Sequence, residues 1–171
     1  MHLRSLAAAA LLLAATPALA DDYYLRTGVG RVDAKDLDAD RATSWSLGVG
    51  WRFVDWLSVE AAYNDLGTYF RAEPAVGGPL DQETTSLELG LAAKLAFGDG
   101  GFFGTARAGM HRWESKRSNV ETLFTLTGND PFYGIGIGYD FGEYYGVSLG
   151  VDRYQVGDED HDRVMLTFEL R

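Results

Sequence analysis

The sequence predicts an all-β chain: a closed eight-stranded antiparallel up-and-down transmembrane β-barrel. Three observations carry that expectation. Side-chain character alternates with a period of two along eight segments, the links between them alternate short and long, and the less apolar face is small rather than uniformly charged. A strand sends successive side chains to opposite faces, so each segment has one apolar face and one small or polar face.

Taken in order, Tyr23, Leu25, Thr27 and Val29 alternate with Tyr24, Arg26, Gly28 and Gly30. The clearest segment follows: Trp45, Leu47, Val49, Trp51 and Phe53 fall on one face, and Ser44, Ser46, Gly48, Gly50 and Arg52 on the other. Leu57, Val59, Ala61 and Tyr63 then alternate with Ser58, Glu60, Ala62 and Asn64. The fourth segment sets Leu87, Leu89, Leu91, Ala93, Leu95 and Phe97 against Ser86, Glu88, Gly90, Ala92, Lys94 and Ala96. The fifth is the weakest, because Gly104, Ala106 and Ala108 on one side meet Thr105 and Gly109 on the other. Tyr133 to Asp140 and Tyr145 to Asp152 place apolar residues against Gly, Ser and Asp. The last sets Val164, Leu166, Phe168 and Leu170 against Met165, Thr167, Glu169 and Arg171.

Short links are expected around Val54-Asp55, at Gly98 to Gly101 and at Gly142-Glu143. Longer loops are expected from Asp33 to Arg41, Thr68 to Glu83, Glu114 to Asp130 and Val156 to Asp162. Alternating short turns and long loops is the layout of a transmembrane barrel. In a soluble sandwich the large apolar residues would point inward. The opposite face here is Gly, Ala and Ser with isolated charges, which suits a narrow lumen that side chains can fill. The apolar face then meets lipid. Trp51, Phe53, Trp56, Phe97, Phe102, Tyr139, Phe141 and Tyr144 gather near the short turns as an interfacial girdle.

The first twenty residues stand apart. His2 and Arg4 precede an unbroken Leu6 to Ala15 apolar run, Thr16-Pro17 breaks it, and Ala18-Leu19-Ala20 has the small-x-small form of a cleavage site. Residues 1–20 therefore read as a secretory signal peptide cut before Asp21, with the barrel domain over 21–171. The run is roughly half the ~20 apolar residues of a spanning helix. With a formal charge of −10, the chain offers no basic face for nucleic acid. Its lack of cysteine excludes a disulfide framework and a thiolate metal site.

The stretch from Trp45 to Tyr69, with the Ser44-Trp45-Ser46 start, resembles the strand–turn–strand segment of the outer-membrane protein A transmembrane domain. Leu91 to Asn119, with Ala93-Lys94-Leu95, Arg107, Gly109-Met110 and Trp113, is similar to that family's fourth and fifth strands. The likeness spans essentially residues 22 to 171. It implies a bacterial outer-membrane location, contact with outer-membrane lipids and lipopolysaccharide, and folding by the outer-membrane insertion machinery. A monomer without cofactors is expected. The chain is expected to lack the family's peptidoglycan-binding domain, so cell-wall anchoring is not carried over. Such barrels commonly end on an aromatic residue, whereas here Phe168 precedes Arg171 by three positions.

Candidate chemistry is sparse. His111, Glu114 and Ser115 could supply an acyl-transfer triad, but on a strand Glu114 faces away from His111. The His-x-Ser-Asn pattern of lipid A deacylases is also absent, with Trp113 and Glu114 in the Ser and Asn positions. Asp33, Asp36, Asp38 and Asp40, and Asp158, Glu159, Asp160 and Asp162, crowd two loops but lack the glycine and closing glutamate of a calcium loop. No catalytic, cofactor or metal residues are assigned. Glu60, Glu88, Lys94 and Arg107 all face the lumen on the third to fifth strands, where charges must be paired or hydrated. They are expected to form a salt-bridged plug, with Glu60 and Lys94 at similar height. The function expected is a non-enzymatic barrel that supports envelope integrity or presents surface loops. The alternatives are a lipid A-modifying enzyme and a narrow porin-like solute channel.

Overall fold

A computed structural model describes residues 22–34, 42–73, 78–118 and 123–171. Residues 1–20, expected to be a signal peptide, and Asp36, Asp38 and Asp40 lie outside the described residues. Eight strands follow one another: β1 (Tyr23–Ala34), β2 (Ala42–Val54), β3 (Leu57–Glu73), β4 (Gly78–Ala96), β5 (Phe102–Ser118), β6 (Leu123–Phe141), β7 (Tyr145–Val156) and β8 (Glu159–Leu170). Each pairs antiparallel with the next, and β1 pairs with β8 to close the barrel. Closure pairs the backbone groups that a bilayer could not satisfy.

The short links match expectation. At one end β2 and β3 turn at Asp55-Trp56, β4 and β5 at residues 97–101, and β6 and β7 at residues 142–144. Gly98 and Gly142 adopt φ of +68° and +76°, a left-handed backbone that other residues rarely take. At the other end three of the four loops are shorter than the sequence suggested. Residues 68–73 and 81–83 pair as strand, β5 and β6 pair as far as Ser118 and Leu123, and β7 and β8 as far as Val156 and Glu159. Cross-strand hydrogen bonding carries these hairpins onward. Once they leave the lipid-facing layer the outward face turns polar while the inner face mixes polar and aromatic residues, so hydropathy no longer marks the strand.

Large apolar side chains face outward along the wall. Ile135 is 71% exposed and Leu89 62%. On β4 the apolar band runs from Leu87 to Leu95 and on β6 from Tyr133 to Phe141, close to the roughly 9–11 residues a tilted strand needs to cross a bilayer. Above the band the outward positions turn polar on every strand: Arg31, Thr43, Asp65, Thr85, Arg112, Asn129, Arg153 and Asp162. Below it, Trp51 packs on Tyr23 and Phe53, and Tyr139 on Phe102 and Phe141, forming an aromatic girdle. Side chains on the inner face fill the barrel.

Candidate functional site: a charged plug in the lumen

The centre of the lumen holds three guanidinium groups and three carboxylates. Arg26 on β1 pairs with Glu88 on β4, and its Nε lies 3.4 Å from Glu60 Oε2 on β3. Arg107 on β5 stands 3.5 Å from Glu60, 3.8 Å from Glu88 and 3.2 Å from Asp152 on β7. Arg163 on β8 is fully buried and pairs with Asp152 at 2.9 Å. Neutral groups complete the network. Tyr24 donates to Glu60 (2.6 Å), Asn64 Nδ2 donates to Glu88 (3.0 Å), and Tyr154 donates to Glu88 (2.7 Å). Arg163 also donates to Asn64 Oδ1 at 2.8 Å and to Tyr154. A buried charge is tolerated only when paired and hydrogen-bonded, and every charge here has several partners.

Of the four residues singled out from the sequence, the structure brings Glu60, Glu88 and Arg107 together and places Lys94 elsewhere. Glu60 lies opposite Gly90, so Lys94 is four residues further toward the short turns, roughly 13 Å along the strand. The Glu60–Lys94 pair expected from similar height does not form. Lys94 instead donates to Asp140 (2.9 Å) and stands 3.6 Å from Glu169, in a second cluster with Arg171 and Arg52 at the barrel mouth. Equal distance from a turn was a poor guide to height, because the register through Leu57 and Ala93 sets the two strands against each other.

Arg26, Asp152 and Arg163 belong to the plug but not to the expected cluster. Arg26 was assigned to the lumen face, but strands one and four meet only across the closed interior. Arg163 falls between the acidic loop expected as far as Asp162 and the strand expected from Val164, so it is placed on neither. The signal was present, since Arg163 keeps the inward parity of Met165.

Layers above and below close the lumen differently. Toward the long hairpins lie buried Val32, Leu66, Tyr69, Trp113, Phe132, Tyr154 and Val156. Phe132 stacks on Tyr154 with ring centroids 5.4 Å apart, and His111 donates from Nε2 to the Gln155 carbonyl at 2.8 Å. Toward the short turns a cavity of about 60 Å³ separates the plug from the mouth cluster, bordered by Tyr24, Lys94, Thr105 and Glu169. Large rings need room opposite them. A Cβ at Gly128 would sit 2.5 Å from the Trp113 ring, so that glycine is a seat for the indole.

The triad candidates do not converge. His111 is bonded to the Gln155 carbonyl, Ser115 shares a hydrogen bond with Thr84 (3.2 Å), and Glu114 pairs with Lys116 (3.1 Å) on the outer face. No group of three or more metal-ligating side chains is found among the described residues.

A closed strand ring with an apolar outer band, an aromatic girdle and an internally neutralised lumen defines an integral membrane β-barrel. The family described as outer membrane protein beta-barrel domain matches residues 6–169, and the chain belongs to that family. This places the protein among bacterial outer-membrane barrels. It is similar to the N-terminal β-barrel domain of Pseudomonas aeruginosa OprF, at 11% identity and TM-score 0.63, covering 86% of this chain and 96% of that one. It is also similar to Neisserial surface protein A, at 9% identity and TM-score 0.66, covering 88% and 97%. A third likeness is to Ail, the attachment invasion locus protein of Yersinia pestis, at 14% identity and TM-score 0.58, covering 87% and 95%. At these identities the likeness shows the fold alone. No curated protein matches the sequence.

Proposed function

We propose that the protein is a non-enzymatic, non-conducting barrel that contributes to envelope integrity and presents its long hairpins at the cell surface. The observation that carries this reading is the plug. Three guanidiniums and three carboxylates neutralise one another across the lumen, and an aromatic layer lies over them. Residues 1–20 direct export and are removed before Asp21. The insertion machinery then folds a monomer whose apolar band meets lipid and whose upper polar rim meets lipopolysaccharide. The cavity of about 60 Å³ favours the second reading, a narrow solute path. The plug separates that cavity from the outer surface, which argues against it.

Planar-bilayer recording tests the proposal. The wild-type barrel should give no discrete conductance steps, and Arg163→Ala, which opens the plug, should give them. Steps of equal size from both proteins would refute a closed lumen. Lipid A mass spectra should be the same with and without the protein, and a product that depends on it would establish an enzyme instead.

A further inference from the structure

The space between the plug and the mouth cluster has a cause in the sequence. At this height β6 turns glycine inward, Gly136 and Gly138, and Gly150 of β7 lies opposite Gly136. No side chain from that part of the wall enters the lumen, and a cavity of about 60 Å³ remains beside it. It extends from Arg107 at the plug to Arg52 and Trp56 near the short turns.

The groups that border it are donors without acceptors. Thr105 stands opposite Lys94 on the inner wall, and Ser148 opposite Thr167. The hydroxyls of Thr105, Ser148 and Thr167 make no hydrogen bond among the described residues. The Lys94 ammonium has three N–H groups and donates one, to Asp140 at 2.9 Å. Glu169 at 3.6 Å is beyond hydrogen-bond reach, and the centre of the Phe103 ring lies 3.8 Å from Nζ. Arg26 also borders the cavity, and its enclosed Nε has no hydrogen-bond partner. The nearby carboxylates are already engaged. Glu60 accepts from Tyr24 and faces Arg26 and Arg107, while Glu169 accepts from Arg171 at 2.6 Å and lies 3.4 Å from Arg52. Across the plug and the mouth cluster, six cationic side chains face five carboxylates. One positive charge is left over in a partly enclosed space, where an uncompensated charge is costly.

We propose that this cavity binds one small monovalent anion of halide size, admitted from the short-turn mouth. Lys94 Nζ supplies the charge, and the hydroxyls of Thr105, Ser148 and Thr167 supply further hydrogen bonds. A buried water occupies about 10–15 Å³ of such space, so the cavity has room for roughly four, or for a halide with one or two waters. A cation would meet the same surplus charge and find only engaged carboxylates. A divalent anion would overshoot the surplus. Water alone would satisfy the hydroxyls and leave the charge. The inference goes beyond the closed-barrel reading and does not need it: conductance reports on the plug, and anion binding on the cavity beneath it.

The test titrates the folded barrel in lipid nanodiscs with sodium bromide. Ionic strength is held constant with sodium gluconate, whose anion is too large for the cavity. Amide NMR shifts at Lys94, Thr105, Ser148 and Thr167 should move and saturate in the millimolar range. Lys94→Met should weaken binding about tenfold or more, and Thr105→Val with Thr167→Val should do the same, because each removes a hydrogen bond to a charged group. Heat-modifiable migration shows that the variants are folded. Lys116→Met, which removes a lysine from the outer face, should leave the affinity unchanged. No saturable shift would mean that water alone fills the cavity and would overturn the proposal. Equal shifts with gluconate, or an equal loss in Lys116→Met, would reduce the effect to general screening and overturn it too. A barrel that conducts ions and still binds bromide at these residues would refute the closed plug and leave the anion site standing.

Discussion

The mid-lumen plug and the mouth cluster at the short-turn end use the same kinds of side chain at different depths. Side chains of the plug are 0–11% exposed, and those of Lys94, Asp140, Glu169, Arg171 and Arg52 are 14–23% exposed. In the plug the charges rest mainly on protein partners, whereas at the mouth water is within reach and shares the work. The contrast teaches that an ion pair in this barrel should be valued by its height along the lumen before its distance.

The largest expected effect breaks the plug. Glu88→Leu leaves three guanidiniums facing two carboxylates, and removing one partner of a buried pair costs roughly 3–5 kcal/mol. Adding Arg26→Met restores the balance and should recover part of that loss. Urea unfolding from lipid vesicles measures both, and a double variant as unstable as the sum of its singles would show the two charges uncoupled.

Depth should grade the outer wall in the same way. Leu89→Arg, in the middle of the lipid-facing band, should cost about 2–4 kcal/mol, and Phe102→Arg at the girdle about 0–1. Equal costs in the same unfolding assay would place the bilayer at the wrong height.

At the mouth, Lys94→Met should cost no more than about 1 kcal/mol, because partly exposed pairs contribute little. Combined with Glu60→Leu it should be additive within about 0.5 kcal/mol, as for sites without shared partners. A coupling larger than that would bring Lys94 back into the plug.

The smallest effect lies in the β7–β8 hairpin above the membrane. His161, 3.7 Å away, and then Arg117 and Gln82 hold the Glu159 carboxyl below its usual range. A carboxyl depressed on folding contributes stability that is complete above its unfolded pKa and disappears as pH falls through the folded one. Amide exchange at the 157–158 turn, corrected for intrinsic rate, should therefore rise on acidification past that point. Glu159→Gln should remove the dependence.

Which face a residue occupies was legible from the sequence, and how high it sits was not. Period-two alternation correctly sent Leu89 and Ile135 outward and Glu60 and Arg107 inward, because parity is a local property of a strand. Height is set by register across eight strands, and no single segment carries it. That is why Lys94 was grouped with Glu60, and why Arg26 was left out although its inward parity was plain. The hairpins were read short because Trp113, Ser115 and Arg117 alternate with Glu114 and Lys116, with no clean apolar face once lipid is left behind.

Gly134, on the inner face of β6, constrains how such a chain can change over generations. A Cβ there would collide with Asp152 Oδ1 and also sit 2.9 Å from the Val151 carbonyl. A smaller residue at 152 relieves the first clash and leaves the second, which is backbone. Substitutions at 134 are thus blocked whatever happens at 152. Substitutions at 152 unbalance Arg107 and Arg163 unless one of them changes as well. Sequence drift inside this lumen is therefore stepwise and ordered, with the charges free to trade among themselves only inside a cradle that stays glycine.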